Sequence, residues 1–293
     1  MIEDIKKLKV GKLEVNVDLK NYCTYKVWGI GKLLVIPDNE KSLLKLIEYI
    51  KKNNVKYKIL GNGSNLIFGD FDGVLIKLDK FNNLEIKDTT IKVGAGYSLM
   101  KLAMKVSKMG LSGLEFATGI PGTVGGAVYM NAGAYKTDMG YIVSEVKVID
   151  KDLNIKTLYN RELKYHYRDS LFQHENYIIL EAKIVLKKGN KDEIMNIIEN
   201  RKQRRLMTQP LEYPSAGSVF RNPENDFAGR LIEDLGYKGK TEGGAKVSMK
   251  HANFIINFDN ASTEDVVKLI EDIKKDVKEK YDVDLICEQE IVK

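Results

Sequence analysis

The sequence predicts an α+β fold arranged in two or three lobes. Three observations point to it. Short β-branched runs alternate with amphipathic helical stretches, no segment repeats, and no low-complexity linker interrupts the pattern. At 293 residues the chain can bury a sizeable core, and length alone suggests about two domains.

"KLLVIP" at 32–37 opens as a strand, and "EKSLLKLIEYIKKNN" at 40–54 follows as a helix with apolar residues at helical spacing. "VKYKIL" leads into the turn "GNGSN", after which "GVLIKL", "LEIKD" and "TIKVGAG" read as strands. The helix "SLMKLAMKVSKMG" stops at Gly110, a suitable C-terminal cap. An almost charge-free stretch, "GLSGLEFATGIPGTVGGAVYMNAGAY", comes next. "VSEVKVID" and "IKTLYN" then form a hairpin around "KDLN", and "NYIILEAKIVLKKG" is a long strand. Past a boundary near Lys188–Asn190 lie the helices "KDEIMNIIENRKQRR", "FAGRLIEDLG" and "STEDVVKLIEDIKKDVKEKY", with strands "ANFIINF" and "VDLICEQEIV".

Hydrophobic residues make up 43% and charged residues 30%, the balance of a globular protein and not of a disordered one. No apolar stretch approaches the roughly 18 residues that span a bilayer, and "MIEDIKKLKV" lacks an apolar signal core. The expectation is a cytoplasmic chain with Cys23 and Cys287 reduced and no membrane partner. The net charge of +6 raises nucleic acid as a partner, but the lysines are dispersed among acids. Only Arg201, Lys202, Arg204 and Arg205 cluster, which suits a solvated or anion-facing surface; no nucleic-acid partner is expected.

Several segments carry possible chemistry. In "GNGSN", Gly61 and Gly63 permit positive φ, so consecutive N–H groups could cup an anion, with Ser64 and Asn65 adding donors. An ordinary strand-to-strand turn reads equally well. It is not a dinucleotide fingerprint, because a strand-like run follows where a helix should open. "GIPGTVGGAVYMNAGAY" suits backbone laid against a flat or phosphorylated ligand, or a tightly packed crossover. "GKT" at 239–241 fails as a phosphate loop, since Asp234 occupies the required first glycine. His166, His174 and His251 show no metal-ligand spacing, so no metal is expected. In "YHYRDSLF", Arg168 offers a planar fork for a carboxylate, phosphate or enolate, or an ion pair. "CEQEIV" places Glu288 and Glu290 on one strand face. "YPSAGSVFRNP" holds Ser218, either a turn serine or a reacting group. No G-x-S-x-G elbow exists, so a reacting Ser218 would act as an acid.

Taken in order, "LGNGSNLIFGDFDGV", "LSGLEFATGIPGTVGGAVYMNAGAY", "YRDSLF", "PSAGSVFRNP" with "AGRLIEDLGYKG", and "VSMKHANFIIN" resemble the UDP-N-acetylenolpyruvoylglucosamine reductases, in their shorter, second-type form. The resemblance spans nearly the whole chain. It implies a two-lobed FAD-binding fold of the vanillyl-alcohol-oxidase type at 1–79 and 80–190. A C-terminal substrate-binding domain at 191–293 would return its last strand to the active site. It implies non-covalent FAD, held by Gly61, Asn62, Gly63, Ser64 and Asn65 at the pyrophosphate. Gly119, Ile120, Pro121, Gly122, Thr123, Gly125 and Gly126 would lie along the flavin. NADPH would give hydride, and a UDP-sugar enolpyruvyl ether would accept it on a monomeric enzyme of peptidoglycan synthesis. Arg168 matches the family's catalytic arginine, Glu290 its glutamate, Ser218 its proton donor and Asn222 a substrate-binding position. Tyr213, Gln209 and Arg221 are neighbouring candidates. Trp28 and Ile30 stand where the family typically has glycine and a small residue, and Asn62 and Arg221 are also less usual there. Two other classes remain open: a different oxidase of the same fold, and a non-catalytic nucleotide-sugar-binding protein. No histidine lies before residue 166 to carry covalent flavin.

Overall fold

The computed structural model describes residues Met1–Lys293. In chain order its main elements are α1 (Ile2–Leu8), β1 (Gly11–Asp18), β2 (Ile30–Pro37), α2 (Glu40–Lys52), β3 (Tyr57–Leu60), β4 (Leu66–Phe68) and β5 (Phe71–Lys77). There follow β6 (Leu84–Lys87), β7 (Thr90–Gly94), α3 (Leu99–Lys108), α4 (Val124–Tyr129), β8 (Val143–Ile149), β9 (Ile155–Tyr159), β10 (Ile178–Val185) and α5 (Lys191–Thr208). The chain ends with α6 (Ala228–Asp234), β11 (Thr241–Glu242), β12 (Ala245–Val247), β13 (Ile255–Asn257), α7 (Thr263–Tyr281) and β14 (Glu290–Val292).

Contacts divide the chain into two units. The first comprises Met1–Val15, Leu33–Asn62 and Gly73–Arg201. It holds most of a four-stranded sheet of order β1-β2-β5-β3, in which β3 and β5 run parallel. It also holds an antiparallel five-stranded sheet of order β9-β8-β10-β7-β6. Helix α2 turns Leu43, Leu46, Ile47 and Ile50 inward, and Asn39 caps it by accepting from Ser42 N. Helix α3 buries Leu99, Leu102, Ala103 and Val106 and is capped by Ser98. These faces join Val74, Ile76, Ile91, Val93, Val146 and Ile184 in one apolar core. Burial of side chains of this size contributes roughly 1.5–3 kcal/mol each, which fixes the frame on which the loops sit.

The second unit comprises Asn16–Lys32, Gly63–Asp72 and Lys202–Lys293. Two early segments therefore cluster with the C-terminal residues, whereas the sequence places both in the first lobe. Hydrogen bonding accounts for this: β14 pairs in parallel with β4, Glu290 opposite Leu66 and Val292 opposite Phe68. The Asn257 amide also donates to the carbonyls of Tyr25 and Lys26. An antiparallel sheet of order β11-β12-β13 packs against α7, which buries Val266, Leu269, Ile270, Ile273 and Val277. Ser262 and Asp265 close a reciprocal cap at the start of α7.

Most expected elements form near their expected positions. Five elements are not read from the sequence pattern: α1, β1, the short strands β11 and β12, and α4, which lies within the glycine-rich stretch. The last strand is also shorter than expected. It begins at Glu290, so Glu288 precedes it and the two glutamates do not share a strand face.

Candidate active site

In the first unit, the glycine-rich stretch is a fitted backbone. Thr123 caps α4 by accepting from Gly126 N at 3.2 Å. Gly125 N donates to Ala95 O at 2.8 Å, and Val124 N to Tyr97 O at 2.9 Å. A Cβ on Gly125 would fall 2.9 Å from Ala95 Cβ, closer than real methyl groups approach. One on Gly61, just past the end of β3, would fall 2.9 Å from Thr123 Oγ1. The turn after β3 and the start of α4 are thus in contact, which no sequence spacing reveals.

Arg168 occupies a two-residue turn. His166 and Asp169 exchange both backbone hydrogen bonds at 3.1 Å, with Tyr167 and Arg168 between them. Arg168 has φ +55°, at a turn position that usually takes glycine or asparagine. Strain of this kind is retained where surrounding structure imposes it, and the surroundings are visible. Asn131 donates to His166 O at 2.7 Å, and Gln173 donates to Arg168 O at 3.1 Å. The guanidinium Nη2 donates to Gly133 O at 2.7 Å, and the group lies 5.1 Å from the Tyr167 ring centre. Nearby, burial raises the Asp138 carboxyl above its ordinary range, opposed in part by Gly140 N–H, Asn131 and the Arg168 charge. Asn131 and Gln173 are supports that the sequence does not single out. Their signal is slight: for Asn131, an uncharged polar residue within an otherwise small and apolar run.

The second unit carries the other residues singled out in the sequence. Gly63 has φ +61°, and a Cβ there would meet Tyr22 O at 2.1 Å, so only glycine fits. Its carbonyl accepts from Thr24 N at 3.2 Å. The Asn65 side-chain amide donates to Glu288 O at 2.8 Å. The backbone of Asn65 accepts from Glu290 N at 3.0 Å. Trp28 is 60% exposed, so most of its ring stays outside the packing of this unit.

Ser218 lies half-buried on a bent segment held from two sides. Asn253 clamps the next residues, accepting from Phe220 N at 2.9 Å and donating to Phe220 O at 2.8 Å. Its own carbonyl accepts from Val219 N at 2.9 Å. On the other side Glu288 N donates to Val219 O, and Arg221 N to Ile286 O. The segment carrying Ser218 and the residues leading to Glu290 are therefore joined backbone to backbone. Asn222 Oδ1 accepts from Ala228 N, the first residue of α6, at 3.2 Å. Tyr213 packs on Phe258 at 5.7 Å between ring centres. It lines a groove of about 170 Å³ with Pro210, Lys246, Met249 and Lys250. Gln209 is half-buried where α5 ends, its N–H bonded to Arg205 O, and Arg221 is half-buried next to the clamp.

Comparisons with known proteins decide the family. The description "FAD binding domain" matches residues 31–158, and "UDP-N-acetylenolpyruvoylglucosamine reductase, C-terminal domain" matches 209–292. The reductase of that name from Anoxybacillus flavithermus is 46% identical over 99% of this chain and 97% of its own length. This chain belongs to the UDP-N-acetylenolpyruvoylglucosamine reductase family. The Bacillus subtilis reductase is 43% identical over 100% of this chain and 98% of its own. The crystal structure of the Thermus caldophilus enzyme superposes with a TM-score of 0.82 at 33% identity, covering 96% of this chain and 100% of that one. The fold is that of an FAD-binding domain joined to a reductase C-terminal domain, and the chain is an FAD-dependent oxidoreductase. No helix is long and apolar enough to cross a membrane.

The residues present suit a phosphate-bearing flavin nucleotide. Gly61 lets the turn lie against Thr123, where a Cβ would meet Oγ1 at 2.9 Å, and Gly63 holds positive φ. The carbonyls of Gly61 and Gly63 are engaged by Lys77 and Thr24, so these glycines bond to protein through their C=O side. Turns of this kind offer their N–H groups to anions.

Proposed function

We propose that this chain reduces the enolpyruvyl ether of UDP-N-acetylglucosamine to UDP-N-acetylmuramate, with NADPH as reductant, as a cytoplasmic monomer in peptidoglycan synthesis. Bound FAD supplies the relay that carries a hydride from NADPH to the substrate. The protein's tasks are to hold that group, to stabilise charge and to deliver a proton.

Backbone from Gly61 to Asn65 binds the pyrophosphate, and Gly119 to Gly126 lies along the flavin. Addition of hydride to the terminal carbon of the enolpyruvyl double bond drives an electron pair toward the carboxylate. The product is an enolate with extra negative charge on its oxygens. Preorganised cations and acids act where such charge develops. Arg168 supplies a planar, permanently charged fork for the carboxylate, and Glu290 supports it as an acid. The carbon next to the carboxylate then takes a proton from the Ser218 hydroxyl, which regains one from solvent. Hydride and proton together saturate the double bond. Asn222, Tyr213, Gln209 and Arg221 bind the nucleotide sugar.

The observation that carries this reading is the join between the serine segment and the residues leading to Glu290. Glu288 N donates to Val219 O at 2.8 Å; Val219 directly follows Ser218, and Glu288 comes shortly before Glu290. A hydroxyl of ordinary acidity protonates carbon only when it is held in place, and such a join supports a held hydroxyl.

The test is an anaerobic absorbance titration of the purified protein. A flavin spectrum should bleach with NADPH and return on addition of UDP-N-acetylglucosamine enolpyruvate. Bleaching without recovery would contradict the acceptor and favour an oxidase of different substrate. A protein that takes up no FAD would contradict the whole reading.

A further inference from the structure

Gln289, just before the terminal strand, is a buried polar side chain, 4% exposed between two half-buried glutamates. Its Nε2 donates to three successive carbonyls of the serine segment: Ala216 at 3.2 Å, Gly217 at 3.1 Å and Ser218 at 3.4 Å. A carboxamide has two N–H groups, so three acceptors share two protons. Carbonyls that converge on one point repel each other unless a donor sits there, so the curl of backbone at 216–218 depends on this amide. Gly217 has φ +77°, and no atom lies within 4 Å of where its Cβ would stand, so neighbouring packing gives the curl no steric support there. The neighbours of Gln289 are fixed too. Glu288 N donates to Val219 O, and Glu290 N donates to Asn65 O.

We propose that Gln289 is a positioning residue for proton delivery: its amide sets the Ser218 backbone in register with Glu290. The proposal rests on the reading of Ser218 as proton donor. It adds that a residue touching no reacting atom governs that step through three carbonyls. Removing the donor lets 216–218 uncurl and moves the hydroxyl, and displacement by about 1 Å costs roughly 10²-fold.

The experiment uses the FAD-loaded full chain and compares parent, Gln289→Met, Ser218→Ala and the double variant. Stopped-flow absorbance follows flavin reduction by NADPH and reoxidation by the enolpyruvyl substrate separately. Hydrogen exchange is measured over 214–221. Gln289→Met keeps the shape and removes the donor. It should leave reduction within about twofold and slow reoxidation by roughly 10²-fold, with a larger solvent isotope effect and faster exchange in 216–219. The double variant should reoxidise no more slowly than Ser218→Ala alone, because residues acting as one unit are not additive. Gln289→Asn, which keeps the amide but shortens its reach, covers the case in which Gln289→Met does not fold, and should show the same selective loss. Full-speed reoxidation in the Gln289 variants, or a loss that multiplies with that of Ser218→Ala, would overturn the proposal. A fast Ser218→Ala would sink the serine reading and this inference together. A slow Ser218→Ala beside a fast Gln289→Met would sink this inference alone.

Discussion

The glycine-rich stretch of the first unit and the serine segment of the second both hold backbone in a fixed path, by opposite means. Around Gly125 the path is set by subtraction: the helix start lies against Ala95 because no side chain intervenes. Around Ser218 it is set by addition, with the buried amides of Asn253 and Gln289 reaching in to hold Phe220 and the carbonyls of 216–218. A fit by subtraction is intolerant of added atoms but indifferent to polarity. A fit by addition fails when the donor is lost or can no longer reach its acceptors. The first suits a large, flat ligand, and the second suits a single hydroxyl that must point one way.

The turn of Arg168 stands between the two kinds and gives the largest expected effect. Its φ of +55° is imposed on a residue with a side chain. Arg168→Gly should relax that backbone, leaving stability within about 1 kcal/mol of the parent. Reoxidation by substrate should nonetheless fall by several orders of magnitude; thermal melts and stopped-flow traces on one preparation check both. Arg168→Lys, which keeps charge without the fork, should hurt reoxidation more than reduction by NADPH.

Asn253→Ala breaks the clamp. It strands the N–H and C=O of Phe220 in the interior, at a cost of about 3 kcal/mol, measurable by chemical denaturation. Gly125→Ala should cost less, about 1–3 kcal/mol from overpacking. Ala95→Gly should recover part of that loss, whereas no small-residue change should rescue Asn253→Ala. If the rescue pattern were reversed, the distinction between the two regions would be lost.

The smallest effect concerns pH. His251 Nδ1 accepts from Asn253 N at 3.2 Å, which requires the neutral ring. Burial, with Lys238 beside it, holds its pKa below the ordinary 6.5. Between the folded and unfolded values the unfolded chain binds more protons. The contribution of His251 is therefore intact above about pH 6.5 and is lost as pH falls below it. Melting temperature should drop more steeply below about pH 6.5 in the parent than in His251→Gln, and parallel profiles would contradict this.

Much of this is legible in the sequence, for identifiable reasons. Helices with local signals can be read in place, because caps such as Asn39, Ser98 and Ser262 act within three residues. The motif segments are legible because small residues and polar residues stand together in them. The supports are not. Asn253 acts on a residue 33 positions away, and Gln289 on one 73 away, so neither leaves a local pattern. Helix α4 is hidden because valine and glycine are poor helix formers, and only the Thr123 cap and the packing on Ala95 reveal it. The glutamate pair departs from expectation because strand alternation does not reach back past Glu290, where the strand begins. The residue between the glutamates is the buried one.

The most direct measurement of the central claim is the pair of half-reaction rates in Ser218→Ala. If Ser218 is the held acid, NADPH should bleach the flavin at nearly the parent rate, and reoxidation by the enolpyruvyl sugar should be slower by several orders of magnitude with the variant still fully folded. Reoxidation at the parent rate, or equal slowing of both halves, would contradict it.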